Sequence, residues 1–278
     1  MRQEIEPESR ASVKRIMLTV AYDGTNYCGW QLQPTGITIE EVLNRELSRL
    51  LKEEIRVQGA SRTDSGVHAL GNLCVFDTGT RIPAEKICYA LNQSLPRDIV
   101  AVDSREVPPR FHPRKCRSVK TYEYVIYNDR FPNPVERLYS TFLYLPLDEK
   151  RMAEGAECLV GEHDFKSFCS ARTQVENTVR CITDLSVVRE GKHIRIRVSG
   201  TGFLYNMVRI IAGTLIRVGT GYWEPSYVRE ILEAKDRRIA GPKAPAEGLT
   251  LLEIRLLDPP EPDRTGNHKE SEKRITLS

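Results

Sequence analysis

The sequence predicts an α+β fold: two ferredoxin-like halves, each βαββαβ, with helices packed on one face of an antiparallel sheet and a cleft between the halves. Two observations carry the prediction. Segments that alternate apolar and polar residues with a period of two are interleaved with segments that repeat at helical spacing. The same order of segments then recurs after a basic, proline-rich connection. A length of 278 residues accommodates two such units with a substantial core.

The first half opens with a strand over residues 14–22, where Ile16, Leu18, Val20 and Tyr22 share one face. Residues 38–52 read as a helix. Thr38 and Glu41 form a capping-box pattern, and Leu43, Leu47 and Leu50 recur at helical spacing. Strands follow at 55–60 and 72–77, around a loop that contains glycine. Residues 83–95 read as a helix with proline in its first turn, stopped by Pro96. A short strand at 99–102 completes the unit.

The second half repeats this order. Strands are expected at 121–127 and 139–145. A helix at 148–160 follows, with Met152, Ala156 and Leu159 on one face and Gly161 as its stop. A hairpin over 182–189 and 193–199 turns through Gly191. Helices at 204–218 and 227–234 precede a last strand at 249–256. With one extra strand and one extra helix set aside, the pattern is again βαββαβ. The expected organisation is therefore a flexible N-terminus at 1–12 and a domain at 13–107. A basic connection at 108–119 leads to a second domain at 120–258, followed by a disordered tail at 259–278.

Composition narrows the function classes. Hydrophobic residues make up 40% of the chain, yet no apolar run approaches the roughly 20 residues of a membrane span. The first ten residues are polar and acidic and lack the apolar core of a signal peptide, so a cytoplasmic protein is expected. The seven cysteines include no C-x-x-C pair, which reads as buried thiols rather than a zinc site. The net charge of +3 says little, but its distribution says more. Residues 105–120 hold Arg105, Arg110, Arg114, Lys115, Arg117 and Lys120 against the single acid Glu106. A solvated linker is one reading of such a run. Phe111 and His112 within it, and Tyr122 and Tyr124 after it, also suit a nucleic-acid surface.

Three segments concentrate the chemistry. The first is Gly59-Ala60-Ser61-Arg62-Thr63-Asp64-Ser65-Gly66-Val67-His68-Ala69, placed in a loop between two strands. It reads either as a turn, with Gly66 at positive φ, or as a site in which an arginine keeps Asp64 ionised as a nucleophile or base. The second is the glycine-rich entry at Gly200 and Gly202 into an apolar helix that carries Arg209. A cation there needs an acidic partner, or else reaches out to solvent. The third is Lys120-Thr121-Tyr122-Glu123-Tyr124, where the two tyrosines share a strand face. They serve either as core or as a base-stacking platform.

Across these segments the chain resembles the tRNA pseudouridine synthase A family. The matching pieces run from about Tyr22 to Leu252. They include Tyr22-Asp23-Gly24-Thr25 with Gly29-Trp30-Gln31, Arg62 through Ala69, and Ala90-Leu91-Asn92 with Leu95-Pro96. Phe111-His112 with Arg114, Lys120-Thr121-Tyr122, Gly161-Glu162-His163-Asp164-Phe165, Phe203 with Met207-Val208-Arg209, and Gly248-Leu249 continue the match in order. Ser65 departs from the alanine that the family more commonly has, and the family has no fixed counterpart to the tail. The resemblance implies an isomerase that converts uridine to pseudouridine in the anticodon stem-loop of tRNA, commonly at nucleotides 38, 39 and 40. It implies a duplicated α+β fold whose two antiparallel sheets join across a basic cleft, a homodimer that holds tRNA across both subunits, and neither a cofactor nor a metal. It implies Asp64 as the nucleophile, adding to C6 of the base or acting at the ribose. It further implies Tyr122 as the base stacker with a part in proton transfer, Arg209 as the ion-pair partner of Asp64, Arg62 as the base-flipping residue, and Leu249 as pocket lining. Arg110, Arg114, Lys115, Arg117 and Lys120 are expected along the RNA path. Three rival readings stand beside this one: a non-catalytic RNA-binding module, the same chemistry on other RNA positions, and an acid–base hydrolase using Asp64 and His68.

Overall fold

The computed structural model describes residues 13–170 and 175–258. The expected flexible N-terminus at 1–12 and disordered tail at 259–278 lie outside the described residues. In the first half of the chain, strand β1 (Lys14–Tyr22) is followed by helix α1 (Ile39–Leu51). The helix begins where the Thr38 hydroxyl accepts from the Glu41 amide at 3.2 Å, and it ends where Lys52 turns left-handed. Strands β2 (Gln58–Gly59) and β3 (His68–Thr78), helix α2 (Ile87–Leu91) and strand β4 (Ile99–Val107) follow.

The second half contains β5 (Ser118–Asn128), β6 (Thr141–Leu143), helix α3 (Glu149–Glu157) and β7 (Gly161–Asp164). The hairpin β8 (Val179–Glu190) and β9 (His193–Gly200) comes next. Helices α4 (Met207–Gly219) and α5 (Tyr227–Ala234) and strand β10 (Leu249–Leu256) complete it.

Among the described residues the strands form one mostly antiparallel 10-stranded sheet in the order β4-β1-β3-β10-β5-β9-β8-β7, with β2 beside β3 and β6 beside β5. Both β4-β1-β3-β2 and β10-β5-β9-β8 place the fourth strand of a set beside the first, then the third, then the second. The two sets meet where β10 pairs in parallel with β3, through Thr250↔His68 and Leu251↔Ala69. One apolar core spans both, with Leu18, Leu43, Phe76, Tyr124, Ile196 and Leu215 all fully buried or nearly so. Each such side chain contributes about 1.5–3 kcal/mol.

Several expectations need correction. The strand expected at 55–60 contracts to two residues. Beyond Gly59 the chain still runs along β3, but Asn72 takes over from the ladder, accepting from the Ser61 amide and donating to the Ser61 carbonyl at 3.3 and 3.0 Å. The strand expected at 72–77 starts earlier, at His68, so His68 and Ala69 belong to the sheet rather than to the loop. The helix expected at 83–95 is a 3-10 turn at Ala84–Lys86 followed by the short α2. It stops because the Asn92 side chain clamps both backbone groups of Ala101, at 2.8 and 2.9 Å. The strand expected at 99–102 runs on to Val107 because β1 pairs with it along its length. In the second half, β6 is a three-residue spur parallel to β5. Strand β7 appears where only a helix stop was expected. Helix α4 begins three residues late, after Asn206 in the left-handed conformation.

Candidate active site

The Asp64 loop is fixed at almost every residue. The Ala60 amide donates to Leu73 at 2.7 Å, and the Trp30 amide donates to the Thr63 carbonyl at 3.1 Å. The Thr63 hydroxyl meets that of Tyr22 at 2.7 Å in a buried contact. Gly66 turns the chain at φ +78, as the sequence led us to expect, and the Val67 amide closes the turn onto the Asp64 carbonyl at 3.1 Å. Asp64 is therefore presented by a rigid loop at the seam between the two sets of strands.

Its partner comes from the other half. Arg209 is buried in α4, where its Nε donates to the Ala244 carbonyl at 2.8 Å and its Nη1 to Asp64 Oδ2 at 3.4 Å. That contact is the one side-chain hydrogen bond of Asp64 among the described residues, and it is long. The carboxylate side chain keeps 19% of its exposure. Burial pushes the Asp64 carboxyl above its ordinary value, opposed by the Arg209 charge and hydrogen bond and by the charge of Lys243. Of the two arginines that the sequence sets against Asp64, Arg209 makes the contact and Arg62 does not, and burial outweighs that pairing in the direction of the shift. Arg62 is exposed and has no ion pair among the described residues.

Tyr122 lies beneath the loop. Its hydroxyl meets that of Ser61 at 2.8 Å, and its ring sits edge-on to Phe203 at 5.2 Å. Burial pushes the phenol up to about 12, with the Asp64 charge acting in the same direction and the Ser61 hydrogen bond against it. The ring is therefore a neutral phenol at physiological pH. On the next strand Leu249 stands in register with Tyr124, and Leu251 with Tyr122. Leu249 is buried. Tyr124 is spent on structure, its hydroxyl meeting Thr141 at 2.6 Å and donating to the Pro245 carbonyl at 3.0 Å. The Lys120 ammonium donates to the Ala60 carbonyl at 3.1 Å, and burial lowers its pKa. It braces the Asp64 loop from below.

The connection behaves differently. Arg110, Arg114, Lys115 and Arg117 are all exposed between β4 and β5. Arg117 makes one loose contact, to Asp258 at 3.9 Å. Arg15 anchors the connection by donating to the Phe111 carbonyl at 2.8 Å. The fold thus leaves these cations exposed on a connection that runs past the strand ends and draws Asp64, Arg209, Tyr122, Lys120 and Leu249 towards the seam.

His68 does not join Asp64. It is 4% exposed and lies on the other face of the strands, with Nδ1 3.1 Å from Asp23 Oδ1 and accepting from the Gly24 amide at 3.1 Å. Tyr139 donates to Asp23 Oδ2 at 2.7 Å. This arrangement removes the geometric basis for an Asp64–His68 hydrolase.

Sequence reasoning assigned no role to Ser61 or Lys243. A buried tyrosine hydroxyl requires a partner, so a hydroxyl in the neighbouring loop was a findable signal for Ser61. Lys243 stands between two prolines in Gly241-Pro242-Lys243-Ala244-Pro245. Nothing local distinguishes it from a solvated lysine. Among the described residues no three His, Cys, Asp or Glu side chains cluster as metal ligands, and no helix is long and apolar enough to cross a membrane.

A family model described as tRNA pseudouridine synthase matches residues 18–114 and 156–255. The tRNA pseudouridine synthase A of Thermoanaerobacter sp. (strain X514) is 44% identical over 242 residues, covering 87% of this chain and 99% of the relative. That of Brevibacillus brevis (strain 47 / JCM 6285 / NBRC 100599) is 46% identical over 242 residues, with the same coverage. The protein of this description from Ruminiclostridium cellulolyticum is 47% identical over 243 residues, again 87% and 99% of the two chains.

Proposed function

The chain belongs to the tRNA pseudouridine synthase family, isomerases that convert uridine to pseudouridine in tRNA, and from that premise we propose that it acts on the anticodon stem-loop, at nucleotides 38, 39 and 40, with Asp64 as the nucleophile. The observation that carries this reading is the state of Asp64. It is a carboxylate in a rigid loop at the seam of the sheet, held by one long hydrogen bond from a buried arginine. A carboxylate so thinly satisfied keeps lone pairs available for an electrophile.

The reaction breaks the C1′–N1 bond, forms a C1′–C5 bond, and exchanges the proton of C5 for one on N1. It is redox-neutral and balances without a co-substrate, which supports a cofactor-free enzyme. A paired uridine must first leave its stack, at a cost of a few kcal/mol. Arg62, exposed beside Asp64, is suited to occupy the vacated space. Asp64 then adds to C6 or acts at the ribose. Tyr122, as a neutral phenol held by Ser61, stacks on the uracil over Leu249. Arg209 opposes the desolvation of Asp64 and keeps its ionised form accessible. Arg110, Arg114, Lys115 and Arg117 track the RNA backbone, and Lys120 supports the loop.

The finer architecture belongs to the same proposal: two βαββαβ domains at 13–107 and 120–258, linked through 108–119, with the cleft for RNA between them. The matching strand orders of the two sets support it. A cytoplasmic homodimer spanning one tRNA follows from the family resemblance. The apolar Leu70, Val100 and Tyr139, exposed around a 430 Å³ cavity behind the sheet, give such a dimer a surface to bury.

The test is to map pseudouridines in tRNA treated with the wild-type protein and with Asp64→Asn. Pseudouridine at nucleotides 38–40 with the wild type alone is expected. Modification confined to other positions would end the anticodon assignment, and modification by Asp64→Asn would end the assignment of the nucleophile.

A further inference from the structure

The segment between α5 and β10 is a strap fastened on two sides of Asp64. The Gly241 amide donates to the Thr214 hydroxyl of α4 at 3.0 Å. Gly213 lets the strap lie flat on that helix, since a Cβ there would overlap the Pro242 carbonyl. The Ala244 amide donates to the Arg209 carbonyl at 3.1 Å, and the Arg209 guanidinium donates back to the Ala244 carbonyl at 2.8 Å. On the other side Tyr124 donates to the Pro245 carbonyl at 3.0 Å, and Ala246 packs against Gly66 of the Asp64 loop. The strap therefore bridges the arginine and the loop that presents its carboxylate.

Within residues 241–246, the stretch of this strap that runs from Thr214 to Gly66, Lys243 is the one charged side chain; Glu247 follows it. Lys243 is exposed, and no hydrogen bond or ion pair holds its ammonium among the described residues. It directly precedes Ala244, whose carbonyl holds Arg209 in place against Asp64. Two cations thus attend one carboxylate at the mouth of the site, and Arg209 alone touches it. The exposed ammonium of Lys243 is free to meet an anion that a substrate brings, and in a bound polynucleotide the anion nearest a target base is its own backbone phosphate.

We propose that Lys243 is a substrate-positioning residue that takes the phosphate flanking the flipped nucleotide; this deepens the Asp64 reading given above and rests on it. The backbone beneath the ammonium is already immobilised, so binding orders only the side chain. Lys243 also shifts Asp64 in the direction of ionisation. That is the competing role: a lysine that tunes the carboxylate and touches no RNA.

Binding titrations of tRNA across a salt series, with steady-state kinetics, separate these roles for the wild type, Lys243→Gln and Lys243→Arg. Removing the cation from one phosphate reduces the slope of log affinity against log salt by about 0.7–0.9. We expect that reduction in Lys243→Gln, with kcat/KM down about tenfold and the loss carried mainly by KM. Lys243→Arg restores the slope and most of KM. An unchanged slope with the acid limb of the pH–rate profile moved upward assigns Lys243 to tuning alone and overturns the proposal, as does no change in any of these measurements. Binding is read without turnover. An active Asp64→Asn enzyme would therefore discredit the Asp64 reading and leave the salt slope to report on Lys243 separately.

Discussion

Two carboxylates, Asp64 and Asp23, sit on opposite faces of the same strands, and each lies within 3.4 Å of a basic side chain. The Asp64 side chain is 19% exposed and that of Asp23 is 26% exposed. Their environments nevertheless push them in opposite directions. Burial raises both. At Asp23 this is outweighed by hydrogen bonds from the Thr25 hydroxyl and amide and from Tyr139, so its pKa falls below the ordinary value. At Asp64 one long hydrogen bond from Arg209 and the charge of Lys243 do not overcome burial. A saturated carboxylate holds structure together, whereas a poorly satisfied one keeps free energy and lone pairs available for reaction.

The largest expected effect tests this contrast directly. Asp64→Asn should lower pseudouridine formation by about 10³-fold or more, with tRNA affinity largely kept, because affinity comes mainly from phosphate contacts. Asp23→Asn should stay within a few-fold of wild type, since Asp23 does not face the site. Tritium release from tRNA labelled at uridine C5 measures both. Comparable losses from the two variants would break the comparison.

A smaller effect is expected at Arg209. Arg209→Met should cost about 10²-fold in kcat. With the guanidinium gone, burial acts on Asp64 against Lys243 alone, so the acid limb of the pH–rate profile moves to higher pH. Adding Asp64→Asn should cost little more, because the pair acts as one unit. An acid limb that stays in place would mean that Arg209 does no more than close the helix surface.

The connection should respond in binding and leave the pH profile alone. Replacing Arg110, Arg114, Lys115 and Arg117 with alanine should weaken tRNA binding and make its salt dependence shallower, by up to about 0.9 in slope for each phosphate left without its cation. A wild-type slope in that variant would mark these cations as a solvated linker.

Stability supplies the smallest effect and the clearest difference of sign. The folded-state pKa of Asp64 lies above its unfolded value, so its ionised form costs stability at neutral pH. That cost vanishes as the pH falls below the unfolded value. The pKa of Asp23 lies below its unfolded value, so its contribution is present at neutral pH and is lost as the pH falls through the folded value. As the pH falls from 7, the melting temperature of wild type relative to Asp64→Asn should therefore rise by about a degree or two, and that of wild type relative to Asp23→Asn should fall by a similar amount. Shifts of the same sign would show that the two environments are not opposed.

Much of this was legible in the sequence because it depends on neighbours a few residues apart. The alternation in residues 14–22 matches β1, the Thr38 cap starts α1, and the expected bounds of α5 and β10 are those observed. Gly66 turns the loop as its position suggested. A guanidinium in an apolar helix needs a partner, and Arg209 reaches Asp64 at 3.4 Å. Local pattern failed where an interaction from elsewhere decided the outcome. Asn72 ended β2, Asn92 ended α2, and pairing with β1 lengthened β4. The net direction of the Asp64 pKa depends on how much water the other half of the chain displaces. Whether Arg62 or Arg209 meets that carboxylate depends on which way the loop faces once β10 lies beside β3. Only the tertiary structure brings the strap with Lys243 to the mouth of the site, because desolvation and charge pairing act through space and a sequence orders residues only along the chain.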